Sequence, residues 1–580
     1  MSVRSRAAGG WMRREGRWLD GCIGLVVIVF CAAPLARLLW GAIFRRTGID
    51  LAALVENLTS RSAVTATWHT IDVGLLSALG ATLLGAIVAV GLAATDIRAK
   101  RAIAILFVGS LLVAPQVMAL AFKTLAGPSS PLLGLLGLAP PLGTPNPMLG
   151  KWGIVAVLTL HHAPLAAVSI ASGLRAIPHS LIEAAHLDGA SPWWILKAVV
   201  LPLLRPHLIA AGLLTFVAGA GNFGIPALLG VQANYLTLPT LIYRQLSSYG
   251  PSVLADVAGL SVLAGVVAAV GILLAAVMRR REQATVQAEE RFRPFWQLGG
   301  WRPFVEGGIA ALVLVAAILP ALSLVATAVV PATGVQLSLA TATLSKFREV
   351  LAVQDVTARA FRNSLLFAGC TAMAVALLGM LTAYVLERRI TRGRTLVSLL
   401  VQLPYAVPGV VLAIACILLL LRPVPLIGVS LYGTPWIILF AYIARFLAVA
   451  LEPIRAAMVL LERDQEEAAA VCGATLAERL RYIVLPALLP SMAAAGLLVF
   501  LMAFNELTVS ALLWSAGTET LGVALLSLED AGLSGEAAAV AVITALFVAV
   551  IIAILNRLDA RLPDGTLPWA MLAATHSDRQ

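Results

Sequence analysis

Few side chains in this sequence are placed to do chemistry, and those that stand out are arranged for contact rather than bond-making. Glu183-Ala184-Ala185 is followed by Gly189 and then by Leu201-Pro202; the same types recur 284 residues later as Glu467-Ala468-Ala469, Gly473 and Leu485-Pro486. Small alanines permit close approach by another surface, an acidic side chain suits a helix start, and glycine can take the left-handed conformation that ends a helix. Each copy therefore reads as a short helix, a break and a second helix, which is a docking element. A second set consists of polar residues inside apolar runs: Asn222, Arg445, Asn505 and Glu506. Such residues are costly in lipid and face a bundle interior. They either line a path or hydrogen-bond neighbouring helices. Arg445 pairs with Glu506 on this reading or reaches a carbonyl.

Catalysis and metal binding fare worse. No paired carboxylates, metal cluster or nucleophile–base set falls inside the apolar runs, and the sequence calls for no cofactor. His161 and His162 are adjacent, so they point about 100° apart on a helix and cannot easily share a metal; they read as core histidines. The cysteines Cys22, Cys31, Cys370, Cys416 and Cys472 contain no C-x-x-C pair and read as small packing residues. A phosphate-binding G-x-x-x-x-G-K-[ST] loop is missing: Gly150-Lys151 is followed by Trp152.

The elements that must position these residues are membrane helices. The chain is 60% hydrophobic and 12% charged, with a mean hydropathy of +0.93, whereas soluble domains carry about a quarter charged residues. A span needs about 20 apolar residues, and twelve windows qualify. In the first half they are Leu19 to Ile43, Thr70 to Ala94, Ala102 to Leu125, Trp152 to Leu174, His207 to Leu229 and Val253 to Met278. The second half has Phe304 to Val330, Ser364 to Leu386, Leu396 to Leu421, Thr434 to Ile454, Met492 to Trp514 and Ala537 to Leu555. The first reads as a signal anchor that is not cleaved, and the polar tail after Pro563 reads as disordered.

With the N-terminus in the cytoplasm, 28 of the 41 Lys and Arg residues fall on inside segments and the other 13 on outside segments or, like Arg37 and Arg445, within spans. The net charge of +11 is thus a topology signal, not a nucleic-acid footprint, and membrane lipid is the surrounding partner. Both Glu-Ala-Ala copies follow the fourth span of their half and face the cytoplasm. Between Leu201 to Phe216 and Leu485 to Phe500, 10 of 16 positions are identical. The N-terminal parts align at offsets nearer 294. Six spans per half puts the copies in the same orientation, a parallel-repeat transporter. The fold class is therefore all-α, about twelve transmembrane helices in two parallel six-helix repeats, residues 1–290 and 291–580, with the docking elements near 183–202 and 467–486.

The E-A-A-x-x-x-G pattern followed by L-P resembles the cytoplasmic loop of permease subunits in binding-protein-dependent ABC importers. That resemblance implies a non-enzymatic membrane subunit whose two halves are fused. Glu183, Ala184, Ala185, Gly189 and Pro202, with Glu467, Ala468, Ala469, Gly473 and Pro486, would couple it to two copies of an ATP-binding subunit. A solute-binding protein would serve the outer face of the bacterial inner membrane, with both termini cytoplasmic. "YAVPGVVLAI" (Tyr405 to Ile414), "LYGTPWIILFAYIARFLAVAL" (Leu431 to Leu451) and "GNFGIPALLG" (Gly221 to Gly230) are similar to fused ferric-iron permeases. Where that group tends to have Lys-Glu-Leu-Pro-Ala-Thr, this chain has Asn505-Glu506-Leu507-Thr508-Val509-Ser510, so permeases for thiamine, aminoethylphosphonate or polyamine stay open. An ion-coupled secondary transporter is the other class; it would want more intramembrane carboxylates than Glu506 and Glu452.

Overall fold

The computed structural model describes residues 17–45, 48–141, 143–248, 252–282, 294–332, 334–389, 393–423, 428–558 and Leu572. The arginines before Arg17 and, Leu572 apart, the tail after Pro563 lie outside them. In the first half the main helices are α1 (Arg17–Ile43), α2 (Leu51–Thr59), α3 (Arg61–Ala94), α4 (Lys100–Leu112), α5 (Pro115–Ala126), α6 (Lys151–Arg175), α7 (His179–Leu187), α8 (Pro192–Ala220), α9 (Gly224–Leu229), α10 (Leu238–Leu246) and α11 (Val253–Glu282). The second half repeats this with α12 (Gly299–Val329), α13 (Asp355–Arg389), α14 (Arg394–Ala406), α15 (Gly409–Leu420), α16 (Pro435–Leu460), α17 (Arg463–Val471), α18 (Leu476–Phe504), α19 (Ser510–Leu513), α20 (Leu521–Asp530) and α21 (Ser534–Leu558). A two-residue antiparallel ladder, Phe44–Arg45 with Gly48–Ile49, joins α1 to α2.

Among the described residues ten helices are long and apolar enough to cross a membrane, and the bent pairs α4–α5 and α14–α15 make twelve if each is one span. Helix direction decides the count. Along α3 and α6 the contacts advance together, Gly80 against Thr159 and Gly85 against Ala163 and Ala166, so the two helices run parallel. The pair between them must carry the chain from one face back to the other. The second half does the same: Gly379 of α13 meets Ala450 and Ile454 of α16, and further on Arg388 reaches the Met458 carbonyl. Helix α8 runs antiparallel to α3, with Gly74 against Phe216 and Gly212 against Thr82. Six crossings per half leave α7 and α17 at the same end of the molecule.

Spans three and nine, drawn as single helices from hydropathy, are bent by 103° and 107°. The residue before a proline is pushed out of helical geometry, and Ala114 before Pro115 (ψ 138°) and Val407 before Pro408 (ψ 151°) are both extended. Spans five and eleven are displaced as well. They begin at Pro192 and Leu476, not His207 and Met492, and end at Ala220 and Phe504, short of Leu229 and Trp514. Leu201-Pro202 and Leu485-Pro486 lie inside these continuous helices. Each follows a five-residue π-turn, Leu196–Val200 or Leu480–Val484, in which the Leu201 N–H reaches back five residues to Leu196 O. The wider turn accommodates a ring that has no N–H to donate and would clash with the carbonyl four residues back. Pro34 and Pro320, in the first helix of each half, follow π-turns at the same distance.

Those first helices interlock the halves. Helix α1 packs on α11 of its own half and on α15 of the other, and α12 packs on α21 and on α5. Phe30 of α1 stacks on Phe440 of α16 at 4.6 Å, and Arg389 binds Asp20 at 2.7 Å.

Candidate functional site

The Glu-Ala-Ala elements are two copies of one backbone. Helix α7 runs from His179 to Leu187 and α17 from Arg463 to Val471, matching at every position with the 284 offset. After each comes the same closing turn. Asp188 and Cys472 both sit at φ −76°, ψ 3°, and Gly189 and Gly473 are left-handed at φ +78° and +89°. Ala190 N–H then donates to Ala185 O and Ala474 N–H to Ala469 O, each at 3.0 Å. These six-to-one bonds, with Gly189 N–H on His186 O (3.0 Å) and Gly473 N–H on Ala470 O (3.1 Å), satisfy carbonyls that a helix end leaves open. Glu183 and Glu467 are the fifth residue of their helices rather than the start, because Pro178 and Glu462 cap the N-termini in extended conformation. Glu183, Ala184, Glu467 and Ala468 are exposed, Ala185 and Ala469 half-buried. Leu187 and Val471, at matched positions, are 89% and 78% exposed.

The seats beneath the two helices differ. Under α17 the buried Glu466 accepts a hydrogen bond from Tyr384, Arg463 donates to Glu387 O at 2.8 Å, and Arg455 binds Glu387 at 2.6 Å. The positions matching Tyr384, Glu466 and Arg479 in the first half are Val90, Ile182 and Ile195, an apolar seat.

The intramembrane residues gather where the four helix breaks meet. Asn222 Oδ1 accepts Ile225 N–H at 3.1 Å, and Glu506 Oε1 accepts Val509 N–H at 2.9 Å together with the Thr508 hydroxyl. Both therefore cap the short segment that follows a broken span, at equivalent places in the two repeats. Asn505 Nδ2 crosses between halves to Leu112 O (3.0 Å) and also binds Leu501 O (3.1 Å). Gln116, 3% exposed, donates back to Asn505 O at 3.3 Å and lies against Gly224 and Gly522. On the other side Gly221 faces Pro408. The junction thus brings together amides, glycines and backbone carbonyls from both halves.

Arg445 lies beside this junction. Its Nη1 makes a long 3.5 Å contact with Val407 O, its guanidinium stands 5.9 Å from the Tyr405 ring centre, and it borders Gly409 together with Thr508, whose hydroxyl bonds Glu506. It reaches a carbonyl, and no ion pair joins it to Glu506 among those within 4 Å. The charge-swapped Arg445→Glu/Glu506→Arg variant is accordingly expected to transport no better than either single change, measured as uptake by vesicles. Recovery in the double variant would show that the charges do meet. His161 and His162 are buried on α6, and among the described residues no three His, Cys, Asp or Glu side chains converge as a metal site. Gln116, Tyr442, whose hydroxyl donates to Glu506 O at 3.4 Å, and Tyr384 were not singled out from sequence. Gln116 carried the same signal as Asn222, a lone amide in an apolar run.

The repeated geometry is matched by family likeness. The model of the binding-protein-dependent transport system inner membrane component family matches residues 6–285 and again 375–564. This chain belongs to that permease family. It is an ABC importer permease with both halves in one polypeptide, a multi-pass inner-membrane component that works with ATP-binding and solute-binding partners. It is 27% identical over 517 residues to a Sinorhizobium fredii protein bearing the name ABC transporter permease protein y4fN, covering 87% of this permease and 89% of that protein. The Fe(3+)-transport system permease protein FbpB 2 of Haemophilus influenzae is 28% identical over 385 residues, 64% of this permease and 70% of that one. PhnV of Salmonella typhimurium, named for 2-aminoethylphosphonate transport, is 28% identical over 199 residues, 34% of this permease and 74% of its own length.

Proposed function

We propose that this permease supplies both walls of an import path from its halves, 1–290 and 291–580, and carries ferric iron. Two copies of a separate ATP-binding subunit dock on α7 and α17 at the cytoplasmic face, where both termini also lie. An extracytoplasmic solute-binding protein delivers cargo from the other side, and the hydrolysis of ATP belongs to the docked subunits. The observation that carries this reading is the duplicated helix and glycine turn, with Leu187 and Val471 exposed at matched positions.

Closure of the ATPase pair would move α7 and α17 together and shift each half through the helices rooted beside them. The amide junction at Gln116, Asn222 and Asn505 is where the halves would part. Neutral amides and backbone carbonyls offer a cargo ligands weak enough to leave again. Ferric iron is favoured because the proteins named for ferric transport align over 64% and 73% of the chain, whereas the aminoethylphosphonate likeness spans 34% of it. Arg445 beside the junction favours the phosphonate as the second reading. Co-purification of the permease with its ATPase and binding protein, followed by analysis of what the latter carries, is the test. Ferric iron on the binding protein and ATP-dependent uptake of radioactive ferric iron are expected; an organophosphonate there would replace iron and leave the coupling scheme standing.

A further inference from the structure

Residues 294–298, at the start of the second half, lie along the end of the first half that carries α7. Phe295 and Trp296 both donate their N–H to Ala94 O, at 3.0 and 2.9 Å, where α3 ends, and Trp296 bridges Thr95 in parallel. Leu298 N–H donates to Asp96 at 3.0 Å, which holds that carboxyl below the usual carboxylate range, and the Leu298 side chain is buried with Ile97 and Ile309. Arg98 N–H donates to Glu306 at 2.7 Å. Pinned in this way, the segment turns two aromatic rings onto the docking element. Phe295 meets His186, in the last turn of α7, at 6.4 Å, and Trp296 meets Trp193, in the first turn of α8, at 6.2 Å, both edge-on. The two contacts fall on either side of the Gly189 turn.

Helix α17 has its own polar brace in Tyr384, Glu466 and Arg463, whereas the matching seat of α7 is apolar. We propose that residues 294–298 act as a strap that sets the position of α7, with Phe295 and Trp296 as positioning residues for ATPase coupling. The inter-half segment is then a working part of the first docking site. This rests on the reading of α7 as a coupling helix.

The test uses the full permease with its ATPase and binding protein in proteoliposomes, and reads the ratio of binding-protein-stimulated to unstimulated ATP hydrolysis. Phe295→Ala/Trp296→Ala should lower that ratio by about tenfold, the scale that two lost aromatic contacts supply, with ATPase co-purification and melting temperature close to those of the parent. Trp296→Phe should restore most of it. Trp301→Ala/Phe304→Ala is the control: these exposed rings pack on each other at 5.8 Å in the neighbouring helix and should change nothing. An unchanged ratio in the strap variant, or an equal loss in the control, would overturn the strap. Leu187→Asp separates the two levels. If it abolishes stimulation while the strap variant is silent, only the strap fails; if it keeps full stimulation, the docking reading fails with it.

Discussion

Proline at Gly189 or at Gly473 is expected to bring solute uptake to background while the permease still inserts and accumulates in the membrane. Three local effects act together. Proline fixes φ near −65°, against the observed +78° and +89°. It removes the N–H that bonds His186 O or Ala470 O. It also disfavours the helical ψ of 3° at the preceding Asp188 or Cys472. A proline penalty of about 3 kcal/mol or more is roughly a hundredfold shift away from the native turn. Space is not the obstacle, since a Cβ at either glycine meets nothing within 4 Å. Asparagine, which tolerates the left-handed region, should therefore keep most activity, and alanine should fall between, at a cost of about 1–2 kcal/mol. Uptake assays on the series at both positions check the order. Activity in the proline variants equal to that of the parent would mean that the turn has no part in coupling.

The other large effect concerns how the halves are built. Gly85→Ala should destabilise the first half by about 1–3 kcal/mol, the range for overpacking a close contact, whereas Gly379→Ala should be nearly neutral. A Cβ at Gly85 would lie 2.7–2.8 Å from Ala166 Cβ, Ala163 O and Ala167 N, so two helix backbones would have to separate. At the equivalent Gly379 the nearest atom is Ile454 Cδ1 at 3.1 Å, the end of a side chain that can turn, and Ala450 is 3.7 Å away. Thermal unfolding of the detergent-purified variants measures the difference. Equal melting temperatures would show that α3 and α6 do not cross as closely as described.

The residues that were legible in sequence share a property: each imposes a backbone or solvation constraint that composition cannot imitate. Gly189 and Gly473 announced a left-handed turn, and the shared 284 offset of glycine, Leu-Pro and Glu-Ala-Ala announced two copies of it. Charge placement gave a topology in which both copies share a face, and the parallel run of α13 and α16, which makes α14–α15 a single crossing and the crossings between α7 and α17 six, gives the same arrangement. Breaks inside apolar runs were hidden. Hydropathy continues unchanged through Val113-Ala114-Pro115 and Val407-Pro408-Gly409, and only the pre-proline restriction marks the bends. The π-turns were hidden for the opposite reason, since Pro202 and Pro486 look like helix breakers until the wider turn absorbs them. Contacts between the halves, such as Gln116 with Asn505 or Phe295 with His186, join residues too distant in sequence for any local pattern to pair.

The difference between the two docking seats has a consequence for coupling. Helix α17 is held by hydrogen bonds to charged groups and α7 by apolar packing, so under the proposed coupling scheme the same push on both helices would meet unlike resistance in the two halves. The shared backbone geometry and the divergent seats are compatible on the proposed scheme, in which the exposed side of each helix would dock and the buried side anchors it.

Single cysteines at Leu187 and Val471, in a chain whose five native cysteines are replaced, test the central claim most directly. Labelling with a membrane-impermeant maleimide should reach both positions in inside-out vesicles and neither in right-side-out vesicles, and bound ATPase subunits should protect both. Labelling of either position from the outer face, or unchanged labelling of both when the ATPase is bound, would contradict the account.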